Sequence, residues 1–427
     1  MKLNSIELSN YRCYETFQAS FGDGVNVIAG VNGSGKTSLL KAIRDALSIA
    51  IMHSGMGIAS LSPLAESDST HVKADQIGNR WRFEPQYPTR VTAYGEVNGV
   101  PLKWEAISTS SIPGHQRIEG VSPTREVHIE NRVHITYPVL AFYPAYRSWP
   151  ATNANETMAA IQTESRAAGY QSWWEASSDS GALQLWAIAK SMERMQAATD
   201  NATGWDGVDD DELAQVAEAL SAVIGDAKGL RYDFTQKTLL IEWSNGKSPT
   251  PFRHLSDGQR VAIALIVDIA RRMCALNPHL GSEILKNTPG VVLIDELDNH
   301  LHPKWQRLMV RGLVKAFPKV QFICASHSPQ ILSELRPENI LLLTLDGAAH
   351  PQASYGLDAN RILEQIMDAD PRPSEVEDDL TQLFICIEQN KLTDARILLD
   401  KLKNAIPGLP ELAGAETLIK RKEVIGR

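Results

Sequence analysis

The chain has 427 residues, with 42 lysines and arginines against 51 acidic residues, a formal net charge of −9 and 43% hydrophobic residues. That length exceeds one ordinary core and calls for two or three lobes, and since no apolar run reaches the roughly 20 residues of a membrane span, a soluble protein is expected. The net charge supplies no global attraction to nucleic acid, and Cys13, Cys274, Cys324 and Cys386 lack C-x-x-C spacing, which argues against zinc or a disulfide framework and for small buried hydrophobes.

The N-terminal stretch MKLNSIELSNYRCYE alternates like a strand and lacks the apolar core of a signal peptide, so a cytoplasmic location is expected. A β-branched and apolar run, Val25–Ala29, then ends at Gly30, and an amphipathic helix carrying Leu39, Leu40, Ile43 and Leu47 follows. Between them GVNGSGKTS supplies the complete G-x-x-x-x-G-K-T pattern in the strand-to-helix frame it needs. The backbone N–H groups of Asn32 to Lys36 can curl round a phosphate at the helix N-terminus, and glycines at 30, 33 and 35 remove Cβ clashes. Lys36 reaches the β- and γ-phosphates in this pattern, and Thr37 binds Mg²⁺. The candidate nucleotide contacts are therefore Asn32, Gly33, Ser34, Gly35, Lys36, Thr37 and Ser38.

More than two hundred residues separate this loop from the next informative motif, so inserted structure is expected. Ser54–Gln76, rich in Ser, Gly and Ala, reads as a surface loop. Thr89–Ser108 alternates and carries an Asn98-Gly99 turn signal, which predicts an antiparallel hairpin beside the nucleotide sheet. In PVLAFYPAYRSWP, Phe142, Tyr143, Tyr146 and Arg147 either line the nucleotide site or pack. Leu185, Ile188, Met192 and Met195 form one helical stripe, and Leu213, Val216, Leu220 and Val223 another. Neither lasts three heptads, so long coiled-coil arms are not expected. Trp173 and Trp174 read as packing residues of this helical lobe. A second hairpin within Tyr232–Phe252 leads onward.

In His254–Arg272, Leu255-Ser256-Asp257-Gly258-Gln259 opens a long apolar helix, and the sequence resembles the signature motif of ABC-type ATPases. Ser256 also reads as an ordinary N-cap, which is compatible with that role. Val291–Ile294 then form a short all-apolar strand ending in Asp295-Glu296. After a P-loop, such an acid pair is the second half-site: Asp295 holds Mg²⁺ through water and Glu296 is the general base. His302 reads as a helix-start residue. A further buried strand, Phe322–Ala325, delivers Ser326 and His327 to its carboxyl end, on the phosphate side of such a sheet.

In the tail, Asp368-Ala369-Asp370 lacks an upstream buried strand and reads as a solvated linker. Ser374 to Glu377 spells a capping box, a stripe of Val376, Leu380, Leu383 and Ile387 follows, and three short helices are predicted before the end.

The order of Lys36, Ser256, Glu296 and His327 is that of ABC-type ATPases, and His300–Pro303 (HLHP) with Leu8–Glu15 (LSNYRCYE) resembles the overcoming-lysogenization-defect and RecF-like branch. The layout of head, Tyr355–Met367 and helical tail is most similar to Septu-type ATPase subunits of bacterial antiphage systems. This resemblance implies an α/β fold: a P-loop ABC-ATPase head over residues 1–355, with a β-rich insert at 54–150 and a helical lobe at 151–228, then a helical docking module at 356–427. It implies ATP and Mg²⁺ as cofactors, Arg12 near the adenine, and His327 as a γ-phosphate switch. Ser256, Gly258 and Gln259 are then expected to face nucleotide bound by a second copy, so a homodimer at least is expected. The implied partner is a separately encoded effector, an HNH-type nuclease; the short amphipathic C-terminal helices are where it is expected to dock, unless they only cover the head's own core, and DNA or RNA stays open as a further ligand. No membrane partner and no nuclease activity of the chain's own are expected. Two other functions compete: a RecF-like repair ATPase that clamps DNA, and a transporter ATPase, against which the absence of a glutamine-bearing loop counts.

Overall fold

The computed structural model describes residues 1–52, 63–64, 68–97, 99–110, 116–120, 135–150, 154–160, 165–178, 180–244, 246–344, 347–370 and 372–425. They form two compact units, Met1–Ala359 and Asn360–Arg427. In chain order the first unit contains β1 (Lys2–Tyr11), β2 (Tyr14–Ser20), β3 (Val25–Ala29), α1 (Lys36–Met52), β4 (Val72–Ile77), β5 (Arg80–Pro85), β6 (Thr89–Val97), β7 (Val100–Ser108), β8 (Gln116–Gly120) and β9 (Val139–Tyr143). Next come α2 (Glu156–Ala160), α3 (Ser180–Asp200), α4 (Glu212–Ile224), β10 (Ala227–Asp233), β11 (Thr238–Trp243), β12 (Thr250–Pro251), α5 (Asp257–Leu276) and α6 (Ile284–Asn287). The unit closes with β13 (Gly290–Ile294), α7 (Pro303–Ala316), β14 (Val320–Ala325), α8 (Pro329–Leu332), β15 (Ile340–Thr344) and β16 (Gly347–Ala349).

A six-stranded sheet in the order β16-β15-β3-β14-β13-β9 forms the centre, parallel except for β16 at one edge. Its strands β9, β13 and β14 are buried at every residue, as expected of apolar runs covered on both faces, and the one polar residue among them, Gln321 of β14, bonds the Leu3 backbone and the Gly22 carbonyl. A second, antiparallel sheet runs β2-β1-β6-β7-β8. Helix α1 packs against both, touching β6 and β7 on one side and β14 and β13 on the other. That sandwich explains why even its polar residues Arg44, Asp45 and Ser48 are buried. They are satisfied internally: Arg44 pairs with Asp45 at 3.0 Å, and Asp45 accepts from the Tyr11 hydroxyl at 3.2 Å. Among the described residues no helix is long and apolar enough to cross a membrane.

Several expectations change. The span Ser54–Gln76 is not loop throughout, because Val72–Ile77 is a strand paired with β5; residues 53–62 and 65–67 lie outside the described residues. The β6–β7 hairpin is present, although Asn98 of its turn lies outside the described residues. β9 falls in the stretch read as insert, yet it is the edge strand of the central sheet. On α3, Ile188 is buried as read and Leu185 and Met192 are half-buried, but Met195 is 55% exposed; the buried face also takes in Leu183, Trp186, Ala187, Ser191 and Arg194, which pairs with Asp211. The α4 stripe of Leu213, Val216, Leu220 and Val223 is buried as read. Trp173 is fully buried and meets Trp174 edge-on at 6.5 Å. Three cysteines are buried, whereas Cys13 is exposed.

The second unit consists of α10 (Ser374–Glu388), α11 (Leu392–Ala405) and α12 (Pro410–Ile425), preceded by α9 (Ala359–Ile366). Leu380, Leu383, Ile387, Leu399, Leu402 and Ile419 belong to a core of its own. The capping box expected at Ser374 does not form: Pro373 occupies the cap position with no side-chain bond, and Ser374 is already helical. Asp368 and Asp370 are exposed between α9 and α10. Among the described residues no cluster of three His, Cys, Asp or Glu could hold a metal.

Candidate functional site: a strand-end phosphate cradle

Parallel register aligns the carboxyl ends of four strands. Ile28 pairs with Ala325, Cys324 with Ile294, and Ile294 with Tyr143. The residues that follow therefore emerge along one edge: Gly30 to Thr37, Ser326 and His327, Asp295 and Glu296, and Pro144 to Arg147. Crevices at such strand ends are where open parallel sheets place ligands.

The glycine loop turns as its sequence requires. Gly30, Gly33 and Gly35 take φ of +147°, +82° and +97°, conformations that cost a residue with a Cβ. At Gly35 space is also lacking, since a Cβ would stand 2.5 Å from the Tyr14 hydroxyl oxygen and 2.8 Å from Cys13 Sγ. Tyr14 in turn donates to the Gly35 carbonyl at 3.0 Å, so β2 braces the loop from outside. At Gly33 a Cβ would meet nothing within 4 Å, and Asn32 and Gly33 are exposed.

Lys36 is buried, and its Nζ donates to the Gly30 and Val31 carbonyls at 3.0 and 2.9 Å. Burial lowers its pKa, with Asp295, Glu296 and Asp298 acting in the opposite direction. The Thr37 hydroxyl donates to Asp295 Oδ2 at 2.8 Å. Asp295 is buried, which pushes its carboxyl pKa up against the Thr37 bond and the nearby Arg147 charge. Glu296 is exposed and holds a left-handed backbone, φ +47°.

That backbone is anchored by Arg147, a buried guanidinium that donates to the carbonyls of Asp295 and Glu296, the latter at 2.8 Å. Of the four residues left between site and packing, Phe142 and Tyr143 pack within the sheet, Tyr146 is 74% exposed, and Arg147 lies under the acid pair. Asp298, not singled out in the sequence, accepts from the Ser326 hydroxyl at 2.6 Å and from the His327 N–H at 3.1 Å. It joins the acid-pair turn to the histidine strand. His327 is half-buried, and burial together with the Lys36 charge lowers its pKa despite Asp298, Glu296 and Asp295.

The signature residues form a separate group. Ser256 caps α5 in a reciprocal box with Gln259, and a Cβ on Gly258 would lie 2.0 Å from the His300 carbonyl oxygen. None of these bonds reaches the glycine loop of the same chain. Asp268 of α5 nevertheless ties this helix to the site: it accepts from Tyr143 at 2.8 Å, and the Tyr143 carbonyl accepts from the Asp295 N–H at 2.8 Å. Burial alone would raise the Asp268 pKa, but Arg272 and Arg271 hold it below the ordinary value. Arg12 sits in the β1–β2 turn at φ +50° and pairs with Asp68. His302 caps α7 by accepting from the Lys304 N–H at 3.2 Å.

Two tests bear on whether phosphate and Mg²⁺ suit this cradle. The Ser34 hydroxyl is buried with no hydrogen-bond partner, and the buried Lys36 ammonium bonds two neutral carbonyls where an anion would serve better. Thr37 and Asp295 are the hard oxygen donors that Mg²⁺ prefers. The residues fit both groups.

A family model described as "AAA ATPase domain" matches residues 1–68, and one described as "AAA domain, putative AbiEii toxin, Type IV TA system" matches residues 168–333. Two separate segments of the chain are thus similar to AAA-type ATPase domains. The two matched segments hold the glycine loop and the signature, acid pair and His327 respectively, with the β-rich stretch between them. Among relatives, the Retron Ec83 probable ATPase of Escherichia coli is 25% identical over 90% of this chain and 79% of its own length. The Retron Vc95 probable ATPase of Vibrio cholerae is 35% identical over 35% of this chain and 30% of that protein. The Septu protein PtuA of Bacillus thuringiensis is 30% identical over 31% of this chain and 35% of that protein. Its similarity to the last two thus spans about a third of their length.

Proposed function

We propose that this protein is a Mg²⁺-dependent ATPase of bacterial antiphage defence, whose heads close in pairs around ATP and thereby control a separately encoded effector nuclease. The observation that carries the ATPase half is the 2.8 Å bond between Thr37 and Asp295 at the mouth of a glycine loop, with Glu296 next in sequence. The defence half is supported by the likeness to Septu and retron ATPases.

In this reading Asn32 to Ser38 cradle the phosphates, Lys36 neutralises charge on them, and Thr37 with Asp295 holds the cation. Mg²⁺, when bound, supplies Lewis-acid polarisation of phosphoryl oxygens. Glu296 accepts the proton of the attacking water, Arg147 holds the Glu296 backbone in place, and His327 sits toward the γ-phosphate. Arg12 flanks the base. Ser256, Gly258 and Gln259 present the N-terminus of α5 to nucleotide on a second copy. The cytoplasm is the compartment where such an ATPase would meet its partner.

The test is a pair of variants. Lys36→Ala should abolish binding of a fluorescent ATP analogue, whereas Glu296→Gln should bind it normally and hydrolyse ATP at least about a hundredfold more slowly. Turnover at the wild-type rate in Glu296→Gln sinks the assignment.

A further inference from the structure

Helix α10 has two working faces. Leu383, Cys386 and Ile387 enter the core of the C-terminal unit, Glu377, Thr381, Ile385 and Glu388 line a groove of about 410 Å³, and Leu380 and Phe384 belong to both. The groove is completed within the same unit by Glu364 of α9, Arg372, and Glu411 of α12. Its apolar lining is a strip of three residues on α10, the buried Leu380, the half-buried Phe384 and Ile385, which is 37% exposed. Its rim is acidic, four glutamates against one arginine, and that arginine is committed to Glu411 and lies 3.8 Å from Glu377.

An apolar strip bordered by acids selects among occupants. Nucleic acid and anionic lipid are repelled by the rim, and an acidic peptide suffers like-charge contact on entry. An amphipathic helix with an apolar stripe and flanking lysines or arginines fits both the strip and the rim. We infer that this groove docks a basic amphipathic helix of a partner protein, its apolar residues on Phe384 and Ile385 and its cations toward Glu364 and Glu388. The inference rests on the reading that a separate effector binds this protein, and it specifies where and by what chemistry.

The experiment uses the full-length protein and a fluorescein-labelled synthetic helix of about 18 residues built from leucine and lysine in a helical pattern, long enough to hold its fold. A twin peptide carries glutamate in place of lysine. By fluorescence anisotropy the lysine peptide should saturate wild-type protein, weaken as salt is raised, and lose at least about tenfold in affinity on Ile385→Asp or on Glu364→Lys/Glu388→Lys. The glutamate peptide should not bind. Circular dichroism and ATP-analogue binding should be unchanged in the exposed double variant, so misfolding cannot mimic the result. Equal binding of the lysine peptide to wild type and the double variant, or equal binding of both peptides, overturns the inference. Self-association that the same variants abolish and the lysine peptide does not displace also overturns it, by making a second copy the occupant. Lys36→Ala reads the head alone and should leave the titration untouched, so failure of the groove and failure of the ATPase reading are separable.

Discussion

Thr37 and Asp295, 258 positions apart in the chain, share a hydrogen bond of 2.8 Å between hydroxyl and carboxylate. The bond joins the first turn of α1 to the residue after β13, two oxygen groups that only folding brings side by side. Asp295→Asn should keep the bond geometry but remove the charge. ATP turnover should then fall by at least about a hundredfold at millimolar Mg²⁺ and recover in part with more Mg²⁺, measured by phosphate release against metal concentration. Metal-independent turnover in the variant would exclude Asp295 from cation binding.

Arg147 donates to the carbonyls of both acid-pair residues, so its removal should act on positioning rather than on binding. Arg147→Met should lower kcat by about ten- to a hundredfold with little change in KM, because a small displacement of a general base costs rate before affinity. A KM effect alone would place Arg147 in nucleotide binding.

The signature residues bond one another and abut His300, and none of those bonds goes to the glycine loop of their own chain. Mixing Lys36→Ala and Ser256→Arg protomers should therefore restore part of the ATPase activity through one intact composite site per pair. Absence of rescue, with both variants folded, contradicts a trans arrangement.

His327 has a pKa lowered by burial and by Lys36. Its imidazole stays neutral to a lower pH than the ordinary value of about 6.5, so an acid limb of kcat due to His327 should lie below that pH. The sign for stability follows the same way. A group with a depressed folded-state pKa contributes stability above its unfolded pKa that is lost as pH falls toward the folded value, because the unfolded chain takes the proton first. Melting temperature should therefore drop below about pH 6.5, and the drop should shrink in His327→Asn. An unchanged profile in that variant assigns the titration elsewhere.

Leu383 is fully buried in the core of α10–α12. Leu383→Ala should destabilise that unit by about 2–5 kcal/mol, giving an early transition in thermal unfolding while ATP-analogue binding by the head persists. A chain ended near Asp370 should likewise bind ATP and lose its effector. Loss of ATP binding in either case would mean that the tail supports the head.

What the sequence alone determined here is what depends on neighbours along the chain. The glycines of the loop before α1, the apolar runs before Asp295 and Ser326, and the cap at Ser256 are local devices, set by φ, burial on two faces and a hydroxyl three residues from an N–H. What only the tertiary structure decided is what depends on strand order. Val139–Tyr143 reads as one more apolar run, and nothing local says that it pairs with β13 and so delivers Arg147 beneath Glu296. Asp298 is one acid among several until β14 is seen beside β13, where it receives both Ser326 and His327. The same holds for Met195 and Ser374: periodicity and a capping pattern reported a preference, but Met195 is exposed while Arg194 is buried against Asp211, and Pro373 takes the cap position. Hydrogen bonds between residues far apart carry no period, so they are legible only once the sheet has brought its strands side by side.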